Sequence, residues 1–163
     1  MGVNMELFDL TGKVAMVTGS TKGLGETSAK ALAKAGADVA VCGRNLADLK
    51  RVPAEIQAMG RKSAGFELDV LSKEKVKKGV EQILNHFGRV DILVNNAGTN
   101  YRVPVLEYPE EQWDLILNTN LKGYFLVAQA VVPQMIERGY GKVINMSSIF
   151  GKTPLHIDRL PKN

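Results

Sequence analysis

One cysteine, Cys42, stands among 163 residues. An internal disulfide is thereby excluded, and a reducing, cytoplasmic setting is expected. No apolar run approaches the roughly 20 residues that a membrane span requires, so no membrane partner is expected. The opening MGVNMELFDL lacks the charged-then-apolar pattern of an export signal. It also lacks the myristoylation pattern, because Glu6 stands where Ser or Thr is needed. Repeats and low-complexity segments are missing. So is a charge excess of one sign: 21 Lys and Arg face 17 Asp and Glu, for a net +4. The densest basic stretch, Lys73 to Lys78, is interrupted by Glu74 and reads as a solvated helix face, not a nucleic-acid surface. With 45% hydrophobic and 23% charged residues, the composition is that of one ordinary globular domain.

What is present is an alternation. Apolar runs at Lys13–Thr18 and Asp38–Gly43, a weaker run in KSAGFELDV, and runs in VDILVNNAG and GKVINMS read as five strands. Between them lie helical patterns: ETSAKALAKAGA with Gly36 as its stop, LADLKRVPAEIQAMG with Pro53 expected to kink or break it, and SKEKVKKGVEQILNHFG capped by Ser72. The fourth is the long PEEQWDLILNTNLKGYFLVAQAVVPQMIERG, with Pro109 suited to its first turn and Gly139 to its stop. Near-continuous apolar strands alternating with helices predict an α/β fold, a doubly wound parallel sheet with helices on both faces. Right-handed crossovers then put ligands at the carboxyl ends of the strands.

The first strand runs into TGSTKGLG, with Gly19, Gly23 and Gly25 directly before a helix. Glycine lets backbone approach a ligand, and a helix N-terminus offers unpaired N–H groups and partial positive charge to a phosphate. In this strand–turn–helix context the pattern predicts nucleotide binding. Asn120, a poor helix former inside the long helical stretch, is expected to hold a bend. Asn95 is expected to tie neighbouring strands.

The Gly-x-x-x-Gly-x-Gly turn, NNAG at Asn95–Gly98, NTNL at Asn118–Leu121 and the strand ending in Ser147–Ser148 together resemble the short-chain dehydrogenase/reductase family. The resemblance runs from about Leu7 to Leu155. It implies a Rossmann-type fold and a nicotinamide cofactor. It places Gly19, Thr21, Gly23, Leu24 and Gly25 around the pyrophosphate, Asp69 and Val70 beside the adenine, and Asn96, Ala97 and Gly98 along the cofactor. Asn120 and Ser148 would be catalytic, acting on a small-molecule carbonyl or alcohol. No metal is implied, and a homo-oligomer is expected of the full-length form. The SSIFGKTPL segment looks most like that of sugar-acid and 3-oxoacyl reductase members.

Members that prefer NAD usually carry an acid after the second strand. Here that strand ends Cys42-Gly43-Arg44-Asn45. Arg44 is a fork donor suited to phosphate oxygens, and Lys22 reaches the same corner in related proteins, so NADP is expected over NAD. The family also uses a tyrosine and, four residues on, a lysine. By the usual spacing the tyrosine belongs at position 161, where Pro161 stands, and the lysine falls past Asn163. The C-terminal strands of the family are expected to be missing as well. The expectation is a Rossmann domain over 1–155 and an atypical tail over 156–163, frame-shifted, with no ordinary reductase activity. A non-catalytic nucleotide-binding module is the other reading.

Overall fold

The structure is a computed structural model, and it describes residues 8–148. Five parallel strands, β1 (Val14–Thr18), β2 (Asp38–Gly43), β3 (Ser63–Glu67), β4 (Ile92–Asn95) and β5 (Lys142–Asn145), lie in the order β3-β2-β1-β4-β5. Helices α1 (Gly23–Lys34), α2 (Asp48–Gln57), α3 (Lys73–Phe87), α4 (Glu110–Leu117) and α5 (Gly123–Glu137) fill the crossovers. The winding reverses between β1 and β4, which opens a crevice at their carboxyl ends, as a doubly wound sheet does.

Every residue of β1 is buried, because both faces of the sheet are covered. Ala15 and Val17 pack with Ala29 and Ala33 of α1 and with Val52 and Ile56 of α2. Met16 faces the other way, with Val76 and Ile83 of α3 and Val127 and Val131 of α5. At roughly 1.5–3 kcal/mol per buried large aliphatic side chain, these layers outweigh surface ion pairs, worth about 0–1 kcal/mol each.

Local chemistry sets the helix ends. Ser72 Oγ accepts the Lys75 N–H at 3.2 Å, and Gly88 ends α3 at φ 78°. Asn45 Oδ1 accepts the N–H groups of Ala47 and Asp48 ahead of α2. Pro53 does not break α2, which runs through it. A proline removes the hydrogen bond to the carbonyl four residues earlier, here that of Leu49. This carbonyl lies over Gly65 of β3, where a Cβ would come within 2.0 Å of it. The glycine makes room for the orphaned carbonyl against the sheet. The long C-terminal helical stretch is interrupted: a π-helical turn, Asn118–Lys122, joins α4 to α5. By length and composition alone the span Glu110–Glu137 could cross a membrane. Its Leu126, Val127, Val131 and Met135 are buried in the sheet's core.

At the amino ends of the strands, Asp91 is 1% exposed. It accepts Val14 N–H at 2.9 Å, Arg89 Nε at 3.0 Å and Arg138 Nη2 at 2.5 Å. One carboxylate thus joins β1, β4 and the end of α5.

All four residues of β5 are exposed, Val143 at 43% and Ile144 at 46%, and β4 is the strand's one neighbour among the described residues. An apolar strand at a sheet edge invites pairing with another chain. Sedimentation velocity on the 163-residue chain is expected to show concentration-dependent association, relieved by Val143→Lys. A monomer unchanged across concentrations would contradict this.

Candidate functional site

The turn after β1 is held from three sides. Thr18 Oγ1 accepts the N–H groups of Asn96 and Ala97, at 2.9 and 3.0 Å. Asn96 Nδ2 returns hydrogen bonds to the carbonyls of Thr18 and Gly19, at 3.0 and 3.2 Å. These bonds staple the turn to the end of β4. Ser20 staples it to β2: its hydroxyl donates to Val17 O at 2.7 Å and accepts the Cys42 N–H at 3.0 Å. From α2, Arg51 Nη2 donates to the Thr21 carbonyl at 3.1 Å.

At two of its three glycines the turn leaves no space for a side chain. At Gly19 (φ 63°) a Cβ would stand 2.9 Å from Ala97 Cα, and at Gly25 it would stand 2.3 Å from the Gly19 carbonyl and 2.4 Å from Asn96 Nδ2. The helix behind the turn has no side-chain cap, so its first N–H groups stay available to a ligand.

In front of the turn lies a cavity of about 360 Å³. Of the residues singled out from the sequence, Gly19, Thr21, Lys22, Arg44, Asp69, Val70, Asn96, Ala97 and Gly98 line it. Gly23, Leu24, Gly25, Asn120 and Ser148 do not. Gly25 is buried beneath the turn, and Leu24 is 73% exposed beside it. Lys22 and Arg44 are both exposed, and neither side chain makes an ion pair among the described residues. Asp69 Oδ1 accepts the Leu71 N–H at 3.1 Å, so this carboxylate also shapes its own turn. A larger depression, about 690 Å³, lies away from the carboxyl ends of the strands, between α2 and the start of β3.

Asn120 sits in the π-helical turn. Its Oδ1 accepts the Thr99 N–H at 2.8 Å and its Nδ2 donates to the Thr99 carbonyl at 2.9 Å. The irregular turn thus aims one amide at the loop after β4, on the rim of the cavity that Thr99 lines. Asn95 Nδ2 donates to Asn145 Oδ1 at 2.9 Å and ties β4 to β5. Ser148 is exposed just past β5. Tyr124, one turn after Asn120, donates its hydroxyl to Met146 O at 3.2 Å, and burial pushes its phenol up. Cys42 is fully buried at the end of β2, which drives its thiol pKa up and keeps it inert. The tail 156–163 and the approach to position 161 lie outside the described residues.

Sequence reasoning missed Thr18, Ser20 and Arg51. The two hydroxyls stand within the glycine motif and could have been found as turn staples. Arg51 had no local signal, because its target carbonyl lies 30 residues away.

The profile of the short chain dehydrogenase family matches residues 13–157. A gluconate 5-dehydrogenase of Gluconobacter oxydans is 41% identical over 144 residues, 88% of this chain and 56% of that protein. A 3-oxoacyl-acyl-carrier-protein reductase of Aquifex aeolicus is 41% identical over 145 residues, 88% of this chain and 58% of that protein. A gluconate 5-dehydrogenase of Burkholderia cenocepacia, solved in complex with NADP and tartrate, superposes with a TM-score of 0.87 at 34% identity. That match covers 93% of this chain and 59% of the solved one. The chain therefore spans between 56% and 59% of the length of these relatives. The parallel five-stranded sheet and the profile agree: the chain belongs to the short chain dehydrogenase family of oxidoreductases.

Proposed function

We propose that this chain provides the cofactor half of an NADP-dependent oxidoreductase, one that moves a hydride between the nicotinamide and a carbonyl or alcohol of a small molecule. The observation that carries the reading is the cavity at the carboxyl ends of β1, β2 and β4, lined by Gly19, Thr21 and Lys22 of the turn that leads into α1 and by Arg44 just after β2. The residues present fit a dinucleotide. A Cβ on Gly19 would collide with Ala97 after β4, and one on Gly25 with the Gly19 carbonyl, which keeps backbone at the surface where a pyrophosphate can meet N–H groups.

Gly19, Thr21, Gly23, Leu24 and Gly25 would hold the pyrophosphate. Asp69 and Val70 would flank the adenine, and Asn96, Ala97 and Gly98 the rest of the cofactor. When bound, the nicotinamide supplies or takes the hydride. Asn120, clamped to Thr99, keeps the rim of the site in place, and Ser148 would hold the substrate oxygen. The gluconate and 3-oxoacyl relatives support a substrate that pairs a carbonyl with an acid or acyl group. Exposed Trp113, Leu121 and Phe125 support self-association of the full-length form.

Titration of the wild type is expected to give tighter binding of NADPH than of NADH. The double substitution Lys22→Ala, Arg44→Ala removes two charge-assisted contacts, each worth roughly 1.5–3 kcal/mol, and is expected to weaken NADPH by about 100-fold or more. NADH should be little affected. A wild type that prefers NADH, or a double variant that loses both cofactors equally, would overturn the NADP reading.

A further inference from the structure

We infer that Arg51 is a positioning residue for cofactor specificity: by gripping the Thr21 carbonyl it turns the Lys22 N–H toward the 2′-phosphate corner of the cavity. The inference rests on the NADP reading above. Arg51 lies on α2, and all five of its guanidinium donors are engaged. Nε donates to Asp48, Nη1 to Glu26 and Glu55, and Nη2 to Glu26 and to the Thr21 carbonyl. A guanidinium has no more donors than these, and together they fix its plane relative to α1, α2 and the glycine turn.

The effect on the cavity follows from peptide geometry. In a trans peptide the C=O and N–H point to opposite sides, and no cis bond is present among the described residues. Holding Thr21 C=O toward Arg51 therefore points the Lys22 N–H the opposite way within the peptide plane, toward the cavity that both residues line. That N–H has no hydrogen-bond partner among the described residues. The peptide's place in the fold names its corner: a Cβ on Gly43 would stand 2.5 Å from Thr21 Cγ2, so the peptide sits against the end of β2, next to Arg44.

A purely structural role for Arg51 has a stand-in. Lys30 bridges Glu26 and Glu55, at 2.5 Å to each, without Arg51. The α1–α2 link thus survives loss of the guanidinium, whereas the Thr21 carbonyl has no second side-chain donor among the described residues. Arg51 also holds the Glu26 carboxyl down to about 2, with Lys30 the next cause, in keeping with a tightly engaged cluster.

Arg51→Met in the full chain tests this, with NADPH and NADH titrated side by side and thermal unfolding recorded. NADPH is expected to bind about tenfold more weakly, the loss of one charge-assisted contact, while NADH stays within about twofold and the fold is retained. Unchanged NADPH affinity, or an equal loss for both cofactors, would overturn the inference. Failure of the wild type to bind either nucleotide would show in its own titration, and would remove the cofactor reading together with this one.

Discussion

Gly25→Ala is expected to abolish NADPH binding at any practical concentration and to lower stability by about 2–4 kcal/mol. The new methyl would lie 2.3 Å from the Gly19 carbonyl and 2.4 Å from Asn96 Nδ2. Neither neighbour can yield cheaply. One is backbone, and the other is the amide whose two hydrogen bonds hold the turn to β4. Moving them displaces the surface a phosphate would touch. Gly23→Ala is the contrast. Its φ of 58° strains an alanine, but open space surrounds the position, so the cost should be about 1–2 kcal/mol. Cofactor titration with parallel thermal melts separates the two. Wild-type affinity in Gly25→Ala would mean that the turn is not the binding surface.

The second large effect is expected at the opposite end of the sheet. Asp91→Asn should cost about 2–3 kcal/mol, below the 3–5 typical of a broken buried pair, because Arg89 and Arg138 are partly exposed and can rehydrate. Burial alone would raise the Asp91 carboxyl. Hydrogen bonds from Arg138, the Val14 N–H and Arg89 outweigh it and hold the group below its ordinary 3.8. A carboxyl depressed in the folded state stabilises fully above its unfolded value and loses that contribution as pH falls through the folded one. Asp91→Asn should therefore be destabilised at neutral pH, with the gap to wild type closing as pH falls below about 3.8. Urea unfolding across that range measures it. A constant gap at all pH values would contradict the assignment.

How much of this was legible in the sequence depended on range. The β2 boundaries, Asp38–Gly43, follow from a short apolar run between Gly36 and Arg44, and Ser72 and Gly139 carry their own local capping chemistry. The glycine turn was legible because strand, glycines and helix stand in one stretch. The helix through Pro53 was legible but the absence of a break was not, because the residue that makes room for the freed Leu49 carbonyl, Gly65, lies on β3. The π-helical turn could not be read from periodicity, since α4 and α5 on either side share one apolar pattern; only Asn120 hinted at a bend. Asp91 stands inside the run VDILVNNAG, which reads as the fourth strand and gives the acid no role of its own. Its role depends on Val14 and Arg138, which only the folded sheet brings to it. Thr18 and Arg51 likewise act on carbonyls or N–H groups far along the chain.

The central claim is that the dinucleotide sits at the carboxyl ends of the strands, in the smaller of the two cavities. Two-dimensional amide NMR of the ¹⁵N-labelled chain with NADPH tests it most directly. The account predicts shifts confined to Gly19–Gly25, Gly43–Arg44, Asp69–Val70 and Asn96–Thr99, with the largest at Lys22. Shifts centred instead on Arg61, Lys62 and Gly65 in the larger depression between α2 and β3, or no shifts at all, would contradict it.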